Sequence, residues 1–233
     1  MPRKPRMYLA DIPAHVVQRG NNREACFFSD DDSLFYLEVL AQGLRRYKVK
    51  LHAYCLMTNH VHLLMTPEDE SGISRVMQHI GRHYVQYINK TYRRSGTLWE
   101  GRHKASLVDV DNYLLKCYRY IEMNPVAASM VKTPEQYRWS SYQYHAWGKP
   151  NEIIRDHILY EELGSASDIK CHAYRELFKI QIPDEDLHII RESMKYNYPL
   201  GNERFKEQVE GALGRTVSQN QRGRPKLGIS ENR

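Results

Sequence analysis

His60-Val61-His62 sits in the apolar run LMTNHVHLLM, with two imidazoles two residues apart. Side chains alternate faces along a strand, so both rings share one face and Val61 takes the other. Paired imidazoles suit a divalent metal, although the same pair could be mutually hydrogen-bonded surface histidines. A second segment, NYLLKCYRYIEMN, stops before Pro125 and carries Tyr113, Tyr118 and Tyr120. On a helix, residues four apart are neighbours, so Tyr120 stands one turn from Asn124. A phenol beside an oxygen ligand can reach a phosphate held on the same metal. Tyr113 shares that face two turns earlier and is the second candidate nucleophile, and Glu122 is an alternative ligand. Helical spacing leaves both choices open, and all three tyrosines could instead be packing residues.

A third group could grip a polyanion. Gln18, Arg19, Asn21, Asn22 and Arg23 cluster at the end of the first strand, and Arg82, Arg93, Arg94, Arg102 and Lys104 fall between the second helix and the strand after it. Such side chains position phosphates without reading sequence. Arg19, Asn21, Arg23, Arg82, Arg102 and Lys104 are the candidates carried forward. Trp99 could stack an unpaired base, against the plainer expectation of a core tryptophan on a strand. Near the C-terminus, Arg222-Gly223-Arg224-Pro225 matches the core of an AT-hook, an extended arm for the minor groove, and competes with a merely solubilising basic tail.

These residues need elements to hold them. His15 to Gly20 reads as a short strand. Asp30 to Ser33 can cap a helix in which Leu34, Leu37, Leu40 and Leu44 recur at helical spacing. Lys50–Met57 and His60–Met65 form two strands separated only by Thr58-Asn59, a hairpin-length gap. Gly72 to about Arg94 is a second amphipathic helix, Thr97–Val108 another strand, and the tyrosine helix runs from Asp111 to Asn124, where Pro125 ends it. The order β-α-β-β-α-β-α predicts an α+β, ferredoxin-like domain with an antiparallel sheet covered by helices. That domain spans residues 1–147, its last Trp- and Tyr-rich stretch (134–150) packing back on the sheet. Residues 148–233 form a C-terminal helical region, broken near Pro199-Leu200-Gly201 and ending in a basic tail.

Composition narrows the class. The 233 residues are 41% hydrophobic and 27% charged, which reads as globular. No run of about 18 apolar residues could span a bilayer, and the basic N-terminus has no apolar secretory core. Cys26, Cys55, Cys117 and Cys171 form no CxxC pair, which suits a reducing cytoplasm. The net charge of +6 concentrates at the two ends and in residues 72–104, which points either to a polyanion partner or to ordinary solvated surface charge.

VVQRGNNRE, HAYCLMTNHVHLLM, LWEGRHKA and YLLKCYRYIEMNPVAA, in that order, resemble the HUH single-tyrosine transposases, and within them the REP-associated tyrosine transposases. The resemblance covers about residues 5–147. It implies that His60 and His62 bind a divalent metal (Mg²⁺ or Mn²⁺) with Asn124 as third ligand. It further implies that Tyr120 attacks single-stranded or hairpin DNA to leave a covalent 5′-phosphotyrosine. The enzyme would act as a monomer or homodimer. Two other readings remain: a non-catalytic DNA-binding repressor on the same fold, and a metal-dependent RNA-processing enzyme that uses water as nucleophile.

Overall fold

The computed structural model describes residues 6–217, so Arg222, Arg224 and the whole Arg-Gly-Arg-Pro motif lie outside the described residues. In chain order the elements are β1 (Ala14–Arg19), α1 (Asp30–Arg46), β2 (Val49–Met57), β3 (His60–Pro67), α2 (Gly72–Thr91), β4 (Lys104–Leu107), α3 (Val110–Glu122) and a short α4 (Asn124–Ala127). Five more helices follow: α5 (Tyr142–Trp147), α6 (Ile158–Glu161), α7 (Ser167–Lys179), α8 (Asp184–Tyr196) and α9 (Glu203–Leu213). The four strands form one antiparallel sheet in the order β2-β3-β1-β4. This is the split β-α-β arrangement expected from the sequence, in which the two central strands are not consecutive in the chain.

Strand alternation divides the core. Val16, Leu56, Val61, Leu63 and Met65 join the cluster under α1 and α2. Ala53, Cys55, Met57 and Leu64 face the other way, against Leu114, Cys117, Tyr118 and Ile121 of α3. Residues 148–217 feed both clusters: Tyr160, Tyr174, Ile190 and Leu200 pack with α3, while Ile154, Val209 and Val217 join the α1 and α2 side. The aromatic stretch after α4 does pack back, as Leu56 N–H donates to the Trp139 carbonyl (2.8 Å) and the Tyr137 hydroxyl to the Leu56 carbonyl (2.6 Å).

Three local readings change. The cap of α1 is Ser29, one residue before the predicted run, in a reciprocal capping box with Asp32. The strand expected over 97–108 shrinks to Lys104–Leu107, because Gly96 (φ +88°) and Gly101 (φ +121°) turn the chain through conformations no strand adopts. Trp99 is therefore in a loop, yet it is 5% exposed and lies against Tyr84, with centroids 6.0 Å apart. It is a core residue and is not available to stack a base. Finally, α3 ends at Glu122, and Pro125 sits inside the first turn of α4, where its missing N–H costs nothing.

Candidate active site

In β3, His60 and His62 point to the α3 side and Val61 to the opposite cluster, as the alternation requires. The two imidazole centroids are 5.0 Å apart. Pairing with β1 sets Val17 opposite His62, and His15, on the same face, brings its Nε2 to 2.9 Å from His62 Nδ1. Tyr120 stands edge-on above both rings, its centroid 5.9 Å from His15 and 5.9 Å from His62. The histidine pair and Tyr120 of one chain thus meet on the sheet surface.

Hydrogen bonds decide which nitrogens are free. Asn59 Nδ2 donates to the Arg23 carbonyl, which leaves its Oδ1 to accept from His60 Nδ1 (2.7 Å). His60 Nε2 therefore keeps its lone pair, the arrangement usual for a metal-ligating imidazole. Burial depresses the histidine pKa values, to about 4 for His60, with Arg19 adding to the effect, to about 3 for His15, and well below the ordinary value for His62. All three are neutral at pH 7, as coordination demands. Asn124 donates its amide nitrogen to the Tyr120 carbonyl (2.7 Å), so its Oδ1 is the atom left to face a cation. Among the described residues no group of three His, Cys, Asp or Glu side chains is arranged to hold a metal ion. A metal here would rest on two imidazoles and an amide oxygen.

Two cavities meet at Tyr120. One, about 360 Å³, is lined by His60, Asn124 and Arg119. The other, about 560 Å³, is lined by His62, Arg19, Arg23, Arg102 and Lys104. A third, about 780 Å³, shares Arg102 and Lys104 and adds Arg6, Arg215 and the stacked pair Tyr196 and Tyr198. Of the sequence-predicted phosphate contacts, Arg19, Arg23, Arg102 and Lys104 come to the site. Asn21 follows β1 in a single 3₁₀ turn, its N–H held by the Leu98 carbonyl. Arg82 projects from α2, on the far side of the sheet from α3, and does not join them.

The remaining alternatives separate in space. Glu122 is fully buried, accepting from Ser141 Oγ (2.5 Å) and His145 Nδ1 (2.7 Å) on Oε1 and from the Tyr174 hydroxyl (2.7 Å) on Oε2. Both its oxygens are engaged away from the histidine pair. The Tyr118 ring is fully buried beside His145, and Tyr113 lies under the Lys116 ammonium, near Asp186.

Two residues of the site escaped the sequence. His15 had a readable signal, a histidine in register with the alternation of the first strand. Arg191 had none. It comes from α8 and lines both cavities at Tyr120, with its charge acting on the phenol. Burial raises the Tyr120 pKa, and the nearby positive charge of Arg191 opposes that rise.

The sequence pattern of the IS200-like transposases matches residues 8–124, half of the chain and all of the span from β1 to Asn124. The chain belongs to the IS200-like transposase family. As a member, this transposase is a single-tyrosine DNA enzyme. It is similar to a curated Haemophilus influenzae protein described as a REP-associated tyrosine transposase, at 24% identity over 140 residues, covering 55% of this chain and 74% of the relative. Its fold matches a solved REP-associated tyrosine transposase bound to a REP hairpin, with a TM-score of 0.54 at 16% identity over 68% of this transposase and 93% of the other chain. No helix among the described residues is long and apolar enough to cross a membrane.

Proposed function

We propose that this transposase cleaves and rejoins single-stranded or hairpin DNA of the REP type through a covalent 5′-phosphotyrosine on Tyr120. The carrying observation is that the Tyr120 ring lies 5.9 Å from His62 within its own chain, where a largely apolar cavity meets a basic one. No exchanged helix is needed to complete the site. His60 Nε2, His62 Nε2 and Asn124 Oδ1 would hold a divalent cation, Mg²⁺ or Mn²⁺. When bound, that cation supplies Lewis-acid polarisation of a non-bridging phosphate oxygen.

The chain's own groups do the rest. Arg19, Arg23, Arg102 and Lys104 hold the backbone of the strand on the His62 side of the scissile bond. The Tyr120 oxygen joins the phosphorus, the P–O3′ bond breaks, and the 3′-oxygen leaves as a hydroxyl. The phosphodiester is conserved as a tyrosyl ester, so a second 3′-hydroxyl can reverse the step and rejoin strands.

The test is a denaturing gel after incubation with a 5′-tailed hairpin oligonucleotide and Mn²⁺. Wild type and Tyr113→Phe form a protein–DNA adduct, and Tyr120→Phe forms none. A native shift without adduct would make the protein a binder. Cut product without adduct would make water the nucleophile.

A further inference from the structure

Tyr120 and Arg191 are the two described residues that line both cavities. The other nearby cations are placed differently. Arg119 donates to the Ile180 carbonyl and lines only the cavity on the His60 side. Arg19 and Arg102 reach only the His62 side. Arg191 is exposed and beside Tyr120 in both cavities, so its guanidinium donors can face a ligand there.

Its mount is firm. Ile190 is fully buried, and Ser193 and Met194 are nearly so. The end of α8 is tied to β4: Asn197 Oδ1 accepts from Ala105 N–H (3.1 Å), and Leu200 N–H donates to the Leu107 carbonyl (2.7 Å). Gly201 makes that approach possible, since a Cβ there would lie 2.7 Å from Asp109 Cβ. A region outside the family match is thereby stitched to the edge strand of the catalytic sheet, with one arginine over the nucleophile.

We propose that Arg191 is a catalytic residue of this transposase, gripping the scissile phosphate as the Tyr120 oxygen joins it. The inference rests on Tyr120 being the nucleophile. Planar guanidinium donors match two phosphate oxygens at once, which an ammonium cannot do. As the O–P bond forms and the P–O3′ bond breaks, the phenolic proton passes to solvent and the departing 3′-oxygen takes one from water. Arg191 remains protonated throughout and carries the charge that gathers on the phosphorus oxygens.

The experiment compares wild type, Arg191→Gln, Arg191→Lys and Arg204→Gln, an exposed charge-matched control on α9, on a hairpin with a normal scissile phosphate and on one with a neutral methylphosphonate there. Arg191→Gln slows adduct formation at saturating DNA by about 10- to 100-fold on phosphate, and by less than about threefold on methylphosphonate. Arg191→Lys falls between, and the control matches wild type. A second reading needs no turnover: in a Tyr120→Phe background, Arg191→Gln reduces the slope of log affinity against log salt by about 0.7, one phosphate contact on a single strand. An unchanged rate, an equal penalty on both substrates, or an unchanged salt slope would overturn the role of Arg191. An adduct persisting in Tyr120→Phe would instead overturn the assignment of the nucleophile.

Discussion

Glu122 offers a test that separates architecture from chemistry. It lies two residues from Tyr120, and by sequence it competes with Asn124 as a ligand, yet its side chain is 0% exposed and accepts three hydrogen bonds, two from α5 and its N-cap and one from α7. Replacing it with Leu leaves His145 Nδ1–H and the Tyr174 hydroxyl as buried donors without an acceptor, while the Ser141 hydroxyl can turn to the Tyr54 carbonyl (3.2 Å). Each unsatisfied buried group costs about 1–3 kcal/mol, and breaking a buried network by removing one partner typically costs about 3–5 kcal/mol in all. At about 2–4 °C per kcal/mol for a chain of this size, Glu122→Leu melts roughly 6–20 °C lower. Glu122→Gln keeps the shape and one acceptor oxygen for Ser141 and His145. Tyr174 can rotate its hydroxyl to accept from the new amide, so the loss is about 1–2 kcal/mol. The assay is thermal unfolding of both variants, with Mn²⁺ titration and adduct formation at a temperature where Glu122→Gln is folded. Metal affinity and adduct yield should match wild type. A Glu122→Gln protein that melts normally but has lost Mn²⁺ binding would refute the reasoning, by showing that Glu122 is a ligand after all.

Two further predictions follow from the buried histidines. His15→Leu should weaken Mn²⁺ binding about 10-fold or more by calorimetry, because His62 Nδ1 loses the partner that orients the ring, while His15→Gln, with an acceptor oxygen near the position of Nε2, should retain most of the affinity; equal affinities in both variants would show that the contact does not orient His62. Acid should destabilise the fold well above the carboxylate range. His15, His52 and His103 have folded pKa values lowered by burial to about 3, 4 and 3, against about 6.5 unfolded, so the unfolded chain binds more protons between those limits. Stability present above pH 6.5 is then lost as pH falls towards 4, by an amount on the order of a few kcal/mol. Urea unfolding at pH 7 and pH 4.5 measures it, and equal midpoints would count against neutral buried imidazoles.

The sequence alone determined the parts governed by local periodicity. Alternation in LMTNHVHLLM fixed which way His60, Val61 and His62 point, since a strand has no other way to dispose of neighbouring side chains. Helical spacing put Tyr120 beside Asn124, and the order of the elements implied the antiparallel sheet. It was silent where a choice depended on distant segments. Glu122 and Asn124 are equally plausible ligands on a helical wheel, and only the arrival of Ser141, His145 and Tyr174 claims Glu122 for the core. Trp99 was read as strand because the positive-φ turns at Gly96 and Gly101 on either side of it show only in the folded backbone. His15 meets His62 through the β1–β3 register, which the intervening α1 and β2 conceal. Arg191 is the extreme case, because α8 reaches Tyr120 only after its following segment pairs with β4. Side-chain direction is a short-range property of the chain, whereas convergence on a site is set by loop closure and packing between segments that carry no mark of each other.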